Sequence, residues 1–183
     1  MNKALKVLYL YNGIFVFAAH LLGPLYAVYV REIEGDVLSV SISWAAFLFS
    51  TVIFTFLISR FGDKVKEKEY LLIAGYVVRS VVWLSYTFVS DLNFLIFLQI
   101  LLGAGEALGT PSFDAIFAEH LDKGKHIADY ANWKVVSNLA CGIAVVIGGF
   151  VVKYYGFNIL FFSMFILAVF SAIGILLKPR ELL

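Results

Sequence analysis

The chain consists of six long apolar stretches separated by short clusters of charged residues. A bilayer core is about 30 Å thick, and a helix needs about 20 mostly apolar residues to cross it. The stretches have this length, so the pattern predicts six transmembrane helices. The predicted spans are residues 7–30, 38–61, 70–89, 92–113, 127–152 and 159–177. Too few residues remain for a soluble domain, so we expect an all-α integral membrane protein.

The composition narrows the class of protein further. Of the 183 residues, 62% are hydrophobic and 15% are charged, whereas soluble domains are about 45–50% apolar and about 25% charged. A water-soluble enzyme is therefore excluded, and the net charge of +1 offers no basic surface for nucleic acid. The sequence has no phosphate-binding loop, no hydrolase-type nucleophile–base pair and no metal-ligand spacing. We expect a membrane protein that is not an enzyme, with lipid around it and neither cofactor nor metal.

The basic residues of the predicted loops predict the orientation of the chain. One side of the membrane receives ten Lys and Arg residues and the other receives two, Arg31 and Lys153. The ten are Lys3, Lys6, Arg60, Lys64, Lys66, Lys68, Lys123, Lys125, Lys178 and Arg180. Cytoplasmic loops carry the excess of positive charge. We therefore expect both termini in the cytoplasm, one orientation for every copy, and a location in the plasma or inner membrane.

A polar stripe follows the fourth predicted span. Gln99, Gly103, Glu106, Thr110 and Asp114 recur at steps of three or four residues, so they share one helical face. Polar and ionisable residues inside a membrane usually face the bundle interior or a water-filled cavity. The stripe predicts that this span lines a polar cavity, in which Glu106 either has a functional role or belongs to a structural ion pair.

Two other spans carry polar residues that we expect at the same cavity. These are Asn12 and His20 in the first span, and Lys134 and Asn138 in the fifth. His20 has two interpretations, because a histidine titrates near neutral pH. It either relays protons or is a neutral, hydrogen-bonded histidine of the helix core.

The cations inside the spans need partners, because an unpaired charge in the bilayer is costly. Arg79 and Lys134 are both candidates to pair with Glu106, and a similar depth slightly favours Lys134. Arg79 also shares a helical face with three aromatic residues, namely Tyr76, Trp83 and Tyr86. A cation–π contact on that face is the alternative to an ion pair for Arg79.

A weak internal repeat is also present. Leu-Gly-Pro at residues 22–24 of the first span resembles Leu-Gly-Thr-Pro at residues 108–111 of the fourth. Those two spans cross the membrane in opposite directions. The pattern predicts three spans repeated with inverted topology, in units of about 1–90 and 91–183.

The loop between the second and third spans resembles a signature of the major facilitator superfamily. That signature reads G-x-x-x-D-[RK]-x-G-[RK]-[RK], and residues 55–64 line up with it. Arg60, Gly62 and Lys64 match, whereas Ser59 stands where the signature has Asp.

Two further segments resemble motifs of the same family. Residues 99–107 resemble its R-x-x-x-G-x-G segment, with Gln99 replacing the arginine that drug antiporters use in proton coupling. Small residues of the fifth span resemble the glycine-rich antiporter motif and are expected to pack against another helix. They are Ala140, Ala144, Gly148 and Gly149.

The resemblance covers the chain as one six-helix half, similar to the N-terminal half, of a twelve-helix transporter. It implies that two parallel copies rebuild a transporter that moves a small solute by alternating access. It also implies a gate at the cytoplasmic edge, where we expect Arg60 and Asp114 to pair. Glu106 is the candidate proton carrier, by exchange with Lys134. The alternatives are a subunit or fragment that needs a second half-transporter chain, and a membrane interaction protein without transport.

Overall fold

The computed structural model describes residues 3–178, and for residue 63 the backbone alone. Arg180, one of the ten basic residues predicted on the cytoplasmic side, lies outside the described residues. The helices are α1 (Lys3–Leu22), α2 (Leu25–Glu34), α3 (Val37–Phe61), α4 (Lys68–Ser85), α5 (Leu92–Glu119), α6 (His126–Tyr155) and α7 (Phe157–Leu176). Short 3-10 turns follow α3 at Gly62–Lys64 and α4 at Tyr86–Phe88. The prediction of an all-α protein is confirmed over the described part of the chain.

Six of the helices are long and apolar enough to cross a membrane, and only α2 is too short. The predicted spans correspond to α1, α3, α4, α5, α6 and α7, with ends that differ by a few residues in most cases. The largest difference in length is in α5, which extends to Glu119 instead of ending at residue 113. The number and order of the predicted spans are thus confirmed.

The first predicted span is not one helix. It is divided between Leu22 and Leu25, where Gly23 has a positive φ of 30° and Pro24 begins α2. Proline has no backbone N–H and cannot continue the hydrogen-bonding ladder, whereas glycine accepts a positive φ without a Cβ clash. The expectation of a continuous helix over residues 7–30 was therefore wrong at Gly23–Pro24.

Proline in the equivalent span has no such effect. Pro111 lies inside α5, which continues without interruption to Glu119. Thr110, which precedes this proline, stays helical, although the residue before a proline usually avoids that conformation. Both sites contain a glycine, but Gly23 directly precedes its proline and has a positive φ, whereas Gly109 is separated from Pro111 by Thr110 and stays helical.

The six long helices form two groups of three, and each group packs around one central helix. α5 lies between α3 and α4, and α1 lies between α6 and α7. Contact between α4 and α7 joins the two groups, and α2 packs mainly on α3. In α3 and α6, the outermost spans, 17% of the most apolar 18-residue segment is buried inside the protein. In the other four spans this share is 39–44%.

Glycines allow the closest approaches between helices. A Cβ atom on Gly75 of α4 would lie 2.6 Å from the Cα of Gly109 on α5, and one on Gly148 of α6 would lie 1.9 Å from the carbonyl oxygen of Leu21 on α1. Small residues at helix interfaces have this effect in membrane proteins. The backbones at these two crossings are therefore closer than any side chain would permit.

The residues expected to pack in α6 differ in their surroundings. Ala144 is buried against the core and Gly148 contacts α1. Ala140 is only half-buried, and no atom lies within 4 Å of a Cβ built on Gly149. Within the described chain, the close contact to α1 is thus made at Gly148 and is absent at Gly149.

Candidate functional site

A polar cavity of about 410 Å³ lies among α1, α4, α5 and α6. Its charged and amide-bearing lining residues are Asn12, His20, Arg79, Glu106, Asp114, Lys134 and Asn138. Aromatic side chains complete the wall, and they are Phe15, Phe113 and Trp133. The structure therefore brings together six of the residues that the sequence placed at a cavity or gate, and adds Arg79 to them.

An ion pair between Arg79 and Glu106 forms the deep side of the cavity. Nη1 of Arg79 lies 2.5 Å from Oε2 of Glu106. The Arg79 side chain is 9% exposed and the Glu106 side chain is 28% exposed. The other carboxylate oxygen of Glu106 accepts a hydrogen bond of 2.5 Å from the hydroxyl of Thr110. Both oxygens of this carboxylate are thus occupied by protein donors.

Of the two candidate partners of Glu106, the structure selects Arg79 and not Lys134, which was slightly favoured. Arg79 reaches Glu106 past two glycines of α5. A Cβ atom on Gly105 would lie 2.8 Å from Cγ of Arg79, and one on Gly109 would lie 2.5 Å from its Nη2. Lys134 lines the same cavity with an exposed side chain and forms no ion pair among the described residues.

The alternative expected for Arg79 also occurs, with Tyr76 from the expected face and, at a shorter distance, with Phe15. Its guanidinium carbon lies 4.2 Å from the ring centroid of Phe15 and 5.9 Å from that of Tyr76. Phe15 and Tyr76 are stacked at 3.9 Å. A cation over an aromatic face is stabilised, more so away from water. The ion pair and the cation–π contact therefore act together on Arg79, and Phe15 on α1 is a partner that the analysis of one helical face missed.

The polar residues of α1 differ from each other in their surroundings. Asn12 is buried, and its side-chain oxygen accepts a hydrogen bond from the hydroxyl of Tyr76. His20 is exposed, and its Nδ1 donates to the carbonyl oxygen of Val16 at 2.8 Å. The interpretation of His20 as a core histidine was therefore wrong about burial, although the hydrogen bond to its own helix is present.

Gln99 lies outside this cavity, contrary to its expected place in the stripe of α5. Its side chain is fully buried, and its Nε2 donates to the hydroxyl of Tyr26. That hydroxyl donates in turn to Ser43 at 2.7 Å. α3 contacts α5 at Gly103, so Gln99 faces α2 and α3 although Glu106 shares its helical face. The helical phase was correct, but the neighbouring helix changes along the length of α5.

The expected gate pair is also absent. Among the residues that the structure describes, Arg60 and Asp114 do not form an ion pair, and the guanidinium of Arg60 lies 4.6 Å from the ring of Phe56. Gly62 begins the 3-10 turn that ends at Lys64. The cross-helix pair at this end of the bundle joins Lys68, at the start of α4, to Glu119, at the end of α5. The sequence could have indicated this pair, because Lys68 and Glu119 carry opposite charges and lie at adjoining ends of two antiparallel helices.

Comparisons with known proteins identify the family of the chain. The sequence matches the family model described as Major Facilitator Superfamily over residues 8–182. It is 24% identical over 160 residues to a protein of Bacillus subtilis (strain 168) described as "Uncharacterized MFS-type transporter YitZ". That alignment covers 86% of this chain and 95% of the relative, so the two chains have similar lengths. Because the family match spans nearly all of its residues, this six-helix chain belongs to the major facilitator superfamily of membrane transporters.

Proposed function

We propose that the chain carries a small solute across the membrane by secondary-active, alternating-access transport, as a parallel homodimer that rebuilds a twelve-helix transporter. One observation carries this proposal: the polar cavity is open to the outside of the chain. Asp114, Lys134 and Asn138 line the cavity and are nevertheless exposed. A second chain would cover this opening.

Exposure of Lys134 to lipid at its depth in the span would be energetically unfavourable. Lys134 is eight residues from the start of α6, which places it about 12 Å into the helix at a rise of 1.5 Å per residue. A charged side chain costs about 2.5–3.5 kcal/mol at the centre of a span on insertion scales, which is an upper bound for Lys134 at this depth. If another copy covers this face, the polar residues face an aqueous cavity and not lipid tails.

The packing of the helices supports the predicted inverted repeat of residues 1–90 and 91–183. If residues 1–90 and 91–183 are exchanged, α1 replaces α5, α3 replaces α6 and α4 replaces α7. The contacts of α5 with α3 and α4 then become the contacts of α1 with α6 and α7, as observed. We interpret the two groups as repeat units that move against those of the second copy during alternating access.

The orientation of both copies follows from the loop charges. The basic loops after α3 and α5 lie at the same end of the bundle as the start of α1, because each long helix crosses in the opposite sense to the one before it. The positive-inside rule places this end in the cytoplasm. Two copies with the same orientation can pair only as parallel protomers, related by an axis normal to the membrane.

Native mass spectrometry of the protein in a membrane mimetic tests the assembly. We expect a protein mass of twice 20.4 kDa after subtraction of lipid and detergent. The matched control is the Lys134→Leu variant, which removes a polar group from the open face without touching the Arg79–Glu106 pair. A strict monomer in lipid would contradict the homodimer and favour a partner chain or a protein without transport activity.

A further inference from the structure

We propose that Arg79 is the anion-binding group of the cavity, and that it takes the carboxylate of an organic acid in place of Glu106 when Glu106 becomes protonated. This inference rests on the proposed transport function and names its substrate class: a monocarboxylate with an apolar or aromatic body. The proton and the solute carboxylate would enter the site together.

The guanidinium of Arg79 has donors left for a ligand. Its Nη1 is bonded to Glu106, and its Nε donates to the carbonyl oxygen of Gly75 at 3.3 Å. Its Nη2 lies beside Gly109 and donates to no acceptor among the described residues. Arg79 and Gly109 both line the cavity. A planar guanidinium binds a carboxylate through two parallel hydrogen bonds, and Nη1 and Nη2 together offer that geometry.

The burial of Arg79 makes an anion necessary at this position. Arginine stays protonated in proteins, so its charge persists when a proton neutralises Glu106. Removing one partner of a buried ion pair leaves an uncompensated charge that is strongly destabilising. A solute carboxylate bound to Arg79 restores the balance, because the site loses one negative charge on Glu106 and gains one from the ligand.

Glu106 is the carboxylate placed to respond to the proton. It is more exposed than Arg79 and lines the cavity from which a proton would arrive. The charged and titratable groups that share the cavity with it are Arg79 from α4, Asp114 from α5, His20 from α1, and Lys134 and Cys141 from α6. Of these, only Arg79 is bonded to Glu106 among the described residues. Exchange at this pair therefore couples proton uptake to anion binding.

An organic cation fits the site less well. To bind Glu106, a cation would have to displace Arg79 and leave a buried guanidinium without a counter-ion. The rings of Phe15, Phe113 and Trp133 line the same cavity and supply an apolar surface for the body of the solute. Small-molecule sites commonly combine such a surface with one or two polar anchors. These observations favour an aromatic or apolar carboxylate.

The native thiol of Cys141 provides a direct binding assay. Cys141 is the single cysteine of the chain, is only partly buried and lines this cavity. We would measure its rate of maleimide labelling in lipid nanodiscs with benzoate, benzyl alcohol or benzylamine, at mildly acidic and mildly alkaline pH. Benzoate should protect Cys141, and protect it better at acidic pH, whereas the neutral and cationic analogues should not.

Two variants separate this mechanism from a general effect of pH. Glu106→Gln resembles the protonated carboxyl group, so it should bind benzoate equally well at both pH values. The double variant Arg79→Gln/Glu106→Gln leaves no unpaired charge and should fold, but it should bind benzoate about tenfold more weakly or worse, the effect of losing a charge-assisted hydrogen bond. Lys153→Gln, which removes a cation outside the cavity, is the control and should behave like the wild type.

The outcomes distinguish this inference from the proposed function. Protection by benzylamine, unchanged benzoate binding in the double variant, or no benzoate binding in Glu106→Gln would each overturn the role of Arg79. A dimer that fails these tests would keep the transport proposal and lose the substrate class. A monomer that passes them would retain the anion site and lose the homodimer.

Discussion

At the scale of single residues, the choice of partner for Glu106 decides the chemistry of the cavity. Arg79 makes an ion pair with Glu106 and lies over the ring of Phe15, so both an ion pair and a cation–π contact stabilise its charge. Lys134 remains exposed at the same cavity. The residue types and their positions on each helix were predictable from the sequence. The pairing was not, because it depends on two α5 glycines, Gly105 and Gly109, that leave room for the Arg79 side chain.

We predict that Glu106→Gln abolishes solute uptake driven by a pH gradient. Because the variant leaves the buried Arg79 without its counter-ion, we expect a lower yield of folded protein and compare uptake per amount of folded protein. Glutamine can still accept a hydrogen bond from Arg79, but it cannot carry a proton. The measurement is uptake into proteoliposomes across an imposed pH gradient, with Thr110→Val as the matched control, since it removes the other hydrogen bond to Glu106 and keeps the carboxylate. Full gradient-driven uptake by Glu106→Gln would refute proton transfer at this residue.

At the scale of helices, close contacts at small residues set the positions of the cavity walls. Gly148 allows α6 to touch α1 at Leu21, just before the division at Gly23–Pro24. The sequence indicated that α6 carries small packing residues, but it did not distinguish Gly148 from Gly149. That distinction requires the rotation of α6 about its own axis, which the packing against α1 determines.

We predict that Gly148→Ala destabilises the protein and that Gly149→Ala does not. A Cβ on Gly148 would lie 1.9 Å from a backbone oxygen, so the helices must separate. Overpacking of this kind costs about 1–3 kcal/mol. A methyl group on Gly149 meets no atom within 4 Å, and alanine favours a helix over glycine. The measurement is the thermal unfolding midpoint of both variants in the same detergent, and equal midpoints would contradict the close contact at Gly148.

At the scale of the whole molecule, the open face of the polar cavity is the feature that bears on assembly. The four best-buried spans pack against one another within the chain, whereas α3 and α6 leave most of their surface free. The exposed polar residues of α6 lie beside the cavity. The proposed second copy would cover this face.

We predict that a tandem fusion of two copies transports the same solute as the single chain. An even number of spans leaves both ends of the helical bundle on one side of the membrane, so a hydrophilic linker joins two copies in the parallel orientation. The measurement is solute uptake by the fusion, and by fusions that carry Glu106→Gln in one copy or in both. An inactive wild-type fusion, beside an active single chain, would contradict parallel pairing.

Hydropathy and helical phase were enough to predict six spans and the polar face of α5, because both properties are local in the chain. The orientation that the loop charges indicate stays a prediction. The division of the first span, the pairing of Arg79 with Glu106 and the separation of Gln99 from the cavity required the packed bundle. Each of these depends on which helix lies opposite at a given depth: Gly148 against Leu21, Gly109 against Arg79, and α3 against Gly103. Helices that share one periodicity can meet in many ways, and the interhelical contacts select one of them.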